Sequence, residues 1–293
     1  MQLRTDLALE AVAMAGETLG EADRTLSEQQ RAGITVTRLT VKSERAAAVY
    51  DKPCGEYVTL ALPPLSDDEK KLLEAATLAA EEIRRFLPKA GTVLTVGLGN
   101  RAITPDALGP RAADMVLATR HIQGEFARSV GLSDLRPSAV VVPGVLGQTG
   151  TESGELVRGV CGVVRPAAVI AVDALAARSV ARLGCTVQVS DTGIAPGAGV
   201  GNHRLPLCAQ TLGVPVIAVG VPTVVDAATV AADCGADAET VERIAPAARR
   251  LVVTPREIDL LIGRAARLVA AAINVALQPD YAPLELISLA LDS

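Results

Sequence analysis

The 293 residues carry 28 basic and 33 acidic side chains, a formal net charge of -5, and 49% hydrophobic residues with only 2% aromatic ones. A large core is available, built from Ala, Val, Leu and Ile, and the lack of a basic tail or stripe speaks against a broad nucleic-acid surface. Five cysteines, odd in number and without Cys-x-x-Cys spacing, argue against a disulfide framework or a zinc site and for buried free thiols.

The first residues lack the apolar core of a signal peptide. No apolar run is expected to reach membrane-spanning length, because the Ala-rich stretch near 265–276 carries Arg264, Arg267 and Asn274. The expectation is a cytoplasmic protein. Residues 34–42 and 56–62 read as strands, the first alternating with period two. They suggest a small antiparallel β appendage over residues 30–65. Ser66 with Glu69 forms a capping-box pattern, and Leu72, Ala76, Ala79, Ile83 and Phe86 then recur at helical spacing.

From Thr92 the chain alternates. Thr92–Leu98, Ala139–Pro143, Ala168–Val172, Thr186–Ser190 and Pro215–Val219 read as strands. Stretches near 107–122, 153–164, 175–183 and 222–234 read as helices. Short apolar strands separated by helices predict an α/β fold, a mainly parallel sheet with helices on both faces, over residues 92–278. Thr254, Pro255 and Glu257 read as the N-cap, N1 and N3 of a last helix. Residues 235–250 carry no clear pattern.

Two aspartates stand out. Asp106 and Asp173 each follow an apolar strand and precede a helical stretch, so parallel strands put both at one sheet edge, where open α/β folds place their sites. Two carboxylates in one crevice can share a proton and activate water. An Asp at a strand end also caps helices; the recurrence on two βα units of similar design favours the catalytic reading.

Gly97-Leu98-Gly99-Asn100-Arg101-Ala102 fits a dinucleotide fingerprint, but Pro105 falls where the phosphate-binding helix should run, and no acidic residue ends a second strand about 20 residues on. A tight turn that aims Asp106 into the crevice is the better reading. Asp191-Thr192-Gly193 matches the pepsin triplet, but a single copy in a β/α context does not suit that fold; Asp191 reads as a turn former that can approach the crevice. The loop from Gly193 to Asn202, with Gly199 and Gly201, can hold an extended peptide, cradle an anion, or merely connect. His121 and His203 are the only histidines, and no serine stands in a nucleophile elbow.

At these residues the chain resembles the germination proteases of endospore-forming bacteria. The resemblance rests on Arg4–Ala11, Gly55–Leu60, Val96–Asn100 with Thr104–Pro110, Val142–Val145 with Thr149-Gly150, Asp173–Ser179, Ser190–Ile194 with Gly199–Asn202, Val221–Ala227 and Val253–Asp259. It implies a single peptidase domain with a fold similar to the hydrogenase maturation endopeptidases. The implied activity is an atypical aspartic-type endopeptidase that degrades small acid-soluble spore proteins at germination. It further implies a zymogen and homotetramer in the forespore and spore core, with no cofactor, metal, nucleic acid or membrane partner. Asp106 and Asp173 fall on the family's essential aspartates, and the Asp6–Leu7 bond falls on its processing site, which makes residues 1–6 a short pro-segment. Gly97, Gly99, Asn100, Asp191, Gly199 and Gly201 are the expected substrate-binding residues. The chain departs from the family pattern in this short pro-segment and in a shortened stretch between Asp233 and Leu251. The alternative reading is a metal-dependent hydrolase or maturation peptidase using the same aspartates.

Overall fold

The computed structural model describes residues 5–15, 19–65, 71–122, 124–129, 134–196, 205–248, 251–283 and 285–286. In chain order the strands are β1 (Arg24–Arg31), β2 (Ile34–Val41), β3 (Gly55–Ala61), β4 (Val93–Gly97), β5 (Ser138–Val141), β6 (Ala168–Ala177), β7 (Thr186–Ser190), β8 (Val216–Asp226) and β9 (Val252–Val253). The helices are α1 (Ala8–Met14), α2 (Glu44–Tyr50), α3 (Leu72–Phe86), α4 (Leu108–Asp114), α5 (Gly124–Ser129), α6 (Leu146–Thr149), α7 (Ser153–Val164), α8 (Ala209–Leu212), α9 (Ala227–Asp233), α10 (Ala238–Ala248) and α11 (Ile258–Leu277).

Among the described residues, all nine strands share one sheet, in the order β1-β2-β3-β7-β8-β6-β4-β5, with β9 paired on β8. The sheet is mixed. The block β5-β4-β6-β8 is parallel, as the strand–helix alternation predicts. Strand β7 is also in the sheet, but antiparallel to β8, and it passes the ladder on to β3, β2 and β1. The N-terminal strands therefore extend the same sheet, where a small appendage was expected.

Strict alternation within each strand sends side chains to two faces. Val58, Leu60, Ile170, Val172, Val187, Val189, Ile217 and Val219 face a layer made of α3, α4 and α11. On the opposite face Leu94, Val96, Val169, Ala171 and Val216 pack with Val157 of α7 and with Leu207. Further along that face Leu39, Val41 and Tyr57 pack with Ala8, Ala11, Ala46 and Tyr50 of α1 and α2. The cavity described below lies on this second face, with a further buried cluster of Leu7, Leu175, Ala177, Leu183 and Val225 beside it.

Several elements differ from expectation for identifiable reasons. Strand β6 continues to Ala177, where the Ala-rich sequence predicted a helix over 175–183; the long strand β8 offers a parallel partner through Ala177, with a register shift between Leu175 and Ala176. Pairing overrides the helical preference of alanine. The same partnership extends β8 to Asp226, so the helix expected over 222–234 is α9, capped by the Asp226 carboxylate, which accepts from Thr229 N–H at 2.7 Å. The helix expected over 107–122 stops at Asp114, because buried Asn274 of α11 takes over the main chain beyond it, accepting from Leu117 N–H and donating to Met115 O. Residues 252–253 are held extended by β8, so α11 starts at Ile258 after Glu257 rather than at Thr254. The region 235–250 contains α10. The capping box at Ser66 lies outside the described residues.

Helix α11 also corrects the reading of the apolar runs. Its 20 residues, with mean hydropathy 1.7, are long and apolar enough to cross a bilayer, yet 78% of that window is buried inside the protein. It is the core helix of the first layer, packed on α3, α4 and β8.

Candidate active site

The end of β4 shapes the position of Asp106. Gly97 lies under α4 so closely that a β-carbon would stand 2.3 Å from Gly109 O. Gly99 then turns the chain with φ +114, and a β-carbon there would stand 2.0 Å from Asp106 O. The turn closes on itself: Asn100 N–H donates to Asp106 Oδ2 at 2.7 Å and to Asp106 O at 3.1 Å, and Asp106 N–H donates to Ile103 O at 2.8 Å. Asn100 Oδ1 in turn accepts from Ala102 N–H and Gln148 Nε2. Thr223 of β8 donates its hydroxyl to Pro105 O at 2.8 Å and ties the turn to the sheet. Asp106 thus ends a 3-10 turn, half-buried, rather than capping a helix through its side chain.

Asp173 reaches the same place by another route. The last residue pair between β4 and β6 is Gly97↔Val172, so Asp173 is the first residue of β6 beyond the end of β4. It is a mid-strand residue, 7% exposed, and its Oδ1 accepts from Ala174 N–H at 2.9 Å. The expectation of a following helix fails, but the location at the carboxyl end of β4 holds, because the longer strand overshoots the shorter one. Strand β4 is flanked by β5 on one side and β6 on the other, so this is the switch point of the parallel block.

Asp106 and Asp173 line one cavity of about 1330 Å³, together with Asn100, Lys52, Gln188, Asp191 and Asp226. Two carboxylates opening onto one crevice can supply a base and an acid for the activation of a water. Asp191 lines it from the rim, where Oδ1 accepts from Glu56 N–H at 2.8 Å and ties the end of β7 to β3. Gly99 and Asn100 also line the cavity, whereas Gly97 faces α4. Gly199, Gly201 and His203 lie outside the described residues. Among the described residues, no group of three or more His, Cys, Asp and Glu side chains is gathered closely enough to hold a metal ion.

The cavity contains the N-terminal segment of the chain itself. Thr5 and Asp6 line it. Asp6 N–H donates to Ala176 O at 2.9 Å, and Asp6 Oδ2 accepts from Ala176 N–H at 2.7 Å. Leu7, 2% exposed, packs with Leu175, Ala177, Leu183 and Val225. Glu10 accepts from the N–H groups of Arg178 and Ser179. Lys52 Nζ donates to Thr5 O at 2.9 Å; burial pushes its ammonium below the ordinary lysine range, against the pull of Asp6, Asp51 and Glu10. Asp6 therefore lies on the wall of the cavity that the two aspartates line, and Leu7 is buried against β6 and β8.

Sequence reasoning missed Lys52, Gln188 and the main chain of 176–179. Gln188 carried a faint signal: in Thr186-Val187-Gln188-Val189-Ser190 the valines take one face and leave the glutamine on the other. Which face holds the site depends on strand order, and strand order is set by pairing.

A model of the germination protease family matches residues 7–236 of the chain. Similar proteins include the germination protease of Caldanaerobacter subterraneus subsp. tengcongensis, 41% identical over 97% of this chain and 97% of its own length. That of Clostridium acetobutylicum is 38% identical over 94% of this chain and 95% of its own. That of Bacillus cereus is 42% identical over 79% of this chain and 65% of its own. Among solved structures, a NiFe hydrogenase maturation protease from Thermococcus kodakarensis covers 66% of this chain and 98% of its own, with a TM-score of 0.36 and 18% identity.

Proposed function

The chain belongs to the germination protease family, and from that membership and the crevice we propose that it is an aspartic-type endopeptidase in which Asp106 and Asp173 activate water. Its substrates are small acid-soluble spore proteins in the core of the germinating spore. It works as a homotetramer and cuts its own chain between Asp6 and Leu7. One observation carries the reading: both aspartates line a cavity that Thr5 and Asp6 also line, and Asp6 is held to the main chain of Ala176 through its N–H and its carboxylate.

One aspartate is ionised and takes a proton from water. The other is protonated and polarises the carbonyl being attacked. Held between the end of β4 and the overshoot of β6, the pair has little freedom to move, so little reorganisation is needed at the moment of reaction. Asp106→Asn and Asp173→Asn are each expected to lower kcat/KM on a small acid-soluble spore protein by roughly 10³-fold or more, with melting temperatures within a few degrees of the parent. Near-normal turnover by either variant rules the pair out.

A further inference from the structure

Strand register puts Asp173 of β6, Gly220 of β8 and Gln188 of β7 in one row across three adjacent strands, on the same face. Two strand spacings separate the Asp173 and Gln188 backbones, roughly 9–10 Å. The residue between them has no side chain: Gly220 lies beneath Leu175, whose Cγ would stand 2.6 Å from a β-carbon at 220. Leu175 therefore fills the space over Gly220 between Asp173 and Gln188, and Leu7 of the N-terminal segment packs against Leu175.

Gln188 is 8% exposed, so its carboxamide needs partners. It has two, both main-chain groups of the N-terminal segment. Nε2 donates to the carbonyl oxygen of Asp6 at 3.1 Å, and Oε1 accepts from Ala8 N–H at 2.8 Å. One partner is a carbonyl and the other an N–H, so only one orientation of the amide satisfies both. The side chain straddles Leu7 and grips the carbonyl of the Asp6–Leu7 bond.

We infer that Gln188 is a catalytic residue that contacts the substrate, donating from Nε2 to the carbonyl of the bond that is cut while Oε1 holds the N–H two residues downstream. The inference rests on the reading of Asp106 and Asp173 as the water-activating pair. In the step, the water oxygen adds to the carbonyl carbon of Asp6 and its proton passes to the ionised aspartate. The carbonyl electron pair moves onto oxygen, where the Gln188 N–H and the protonated aspartate both donate to it. Collapse breaks the C–N bond, the aspartate returns its proton to the nitrogen of Leu7, and the products are the Asp6 carboxyl and the Leu7 amine. A carboxamide suits this position because it does not titrate, so it adds no third acid to the pair.

The test follows cleavage of Asp6–Leu7 by intact mass, with the full-length chain in mildly acidic buffer, for the parent, Gln188→Leu, Gln188→Glu and Asp173→Asn, with a melting curve for each. Gln188→Leu is expected to slow cleavage about 100-fold or more, the usual loss for one oxyanion donor. Gln188→Glu keeps the acceptor but donates only when protonated. Its rate is expected to climb towards that of the parent as pH falls through the carboxyl range, a profile that a merely structural role does not produce and that survives if the leucine variant fails to fold. Cleavage by Gln188→Leu within threefold of the parent, or a Gln188→Glu profile parallel to the parent's, overturns the inference and leaves the aspartate pair standing if Asp173→Asn is dead. An intact Asp6–Leu7 bond in a parent chain that still degrades spore protein also overturns it, since the docked bond is then no substrate. Cleavage by Asp173→Asn at the parent rate removes the underlying reading instead.

Discussion

At the scale of the residue, the site depends on what small side chains permit. Gly99 allows the β4 turn to fold back onto Asp106, and the contact is with the main chain of Asp106, which cannot swing aside. Gly99→Ala is expected to displace the aspartate and lower turnover by about 10²-fold, the scale of a misplacement near 1 Å. The strained φ should also cost roughly 1–3 kcal/mol of stability. Turnover and melting temperature together check this; an unchanged kcat would show that the turn does not position Asp106. The two aspartates were legible as residues because each closes an apolar strand. Their role was not decided by that pattern, which also describes a helix cap. What separates the readings is the hydrogen bonding: the Asp106 carboxylate turns back to Asn100 and that of Asp173 to Ala174, while a true cap, Asp226, accepts from Thr229 at the start of α9.

At the scale of the element, pairing overruled propensity wherever the two disagreed. Ala174 to Ala177 favour a helix by composition, yet β8 holds them extended and so makes the Ala176 N–H available to Asp6. The antiparallel wing is joined to α3 by charge. Glu82, 2% exposed on α3, bonds Arg38 of β2 and Arg85 of its own helix, and Arg85 reaches Glu56 of β3. Burial alone pushes the Glu82 carboxyl up, but the two guanidiniums outweigh it and hold it below the ordinary range. A carboxyl depressed in the folded state stabilises above its unfolded pKa, and that contribution disappears as pH falls through the folded value. Glu82→Gln is expected to cost roughly 2 kcal/mol at neutral pH, with the gap to the parent narrowing below about pH 4. Denaturant titrations at pH 7 and pH 3.5 measure it; a gap that is constant with pH means the ion pairs are not what joins the wing.

At the scale of the molecule, one face of the sheet is closed by α3, α4 and α11, and the other carries several smaller clusters with the crevice among them. The proposed tetramer predicts a light-scattering mass four times the 30.1 kDa chain; a monomer that degrades spore protein at full rate removes it. The sequence by itself determined the α/β class, the parallel block and the placement of Asp106 and Asp173 at one edge of it, because strand periodicity and strand-end chemistry are local properties. Its blocks of resemblance also pointed to the family. Only the tertiary structure decided that the N-terminal strands extend the same sheet, that β6 overshoots β4 to bring Asp173 level with the Asp106 turn, and that Gln188 and Asp173 share a row across Gly220. Those facts depend on which strands pair and in what register, and pairing partners lie far apart in the chain, as Tyr57 of β3 and Ser190 of β7 do. No local pattern carries that information.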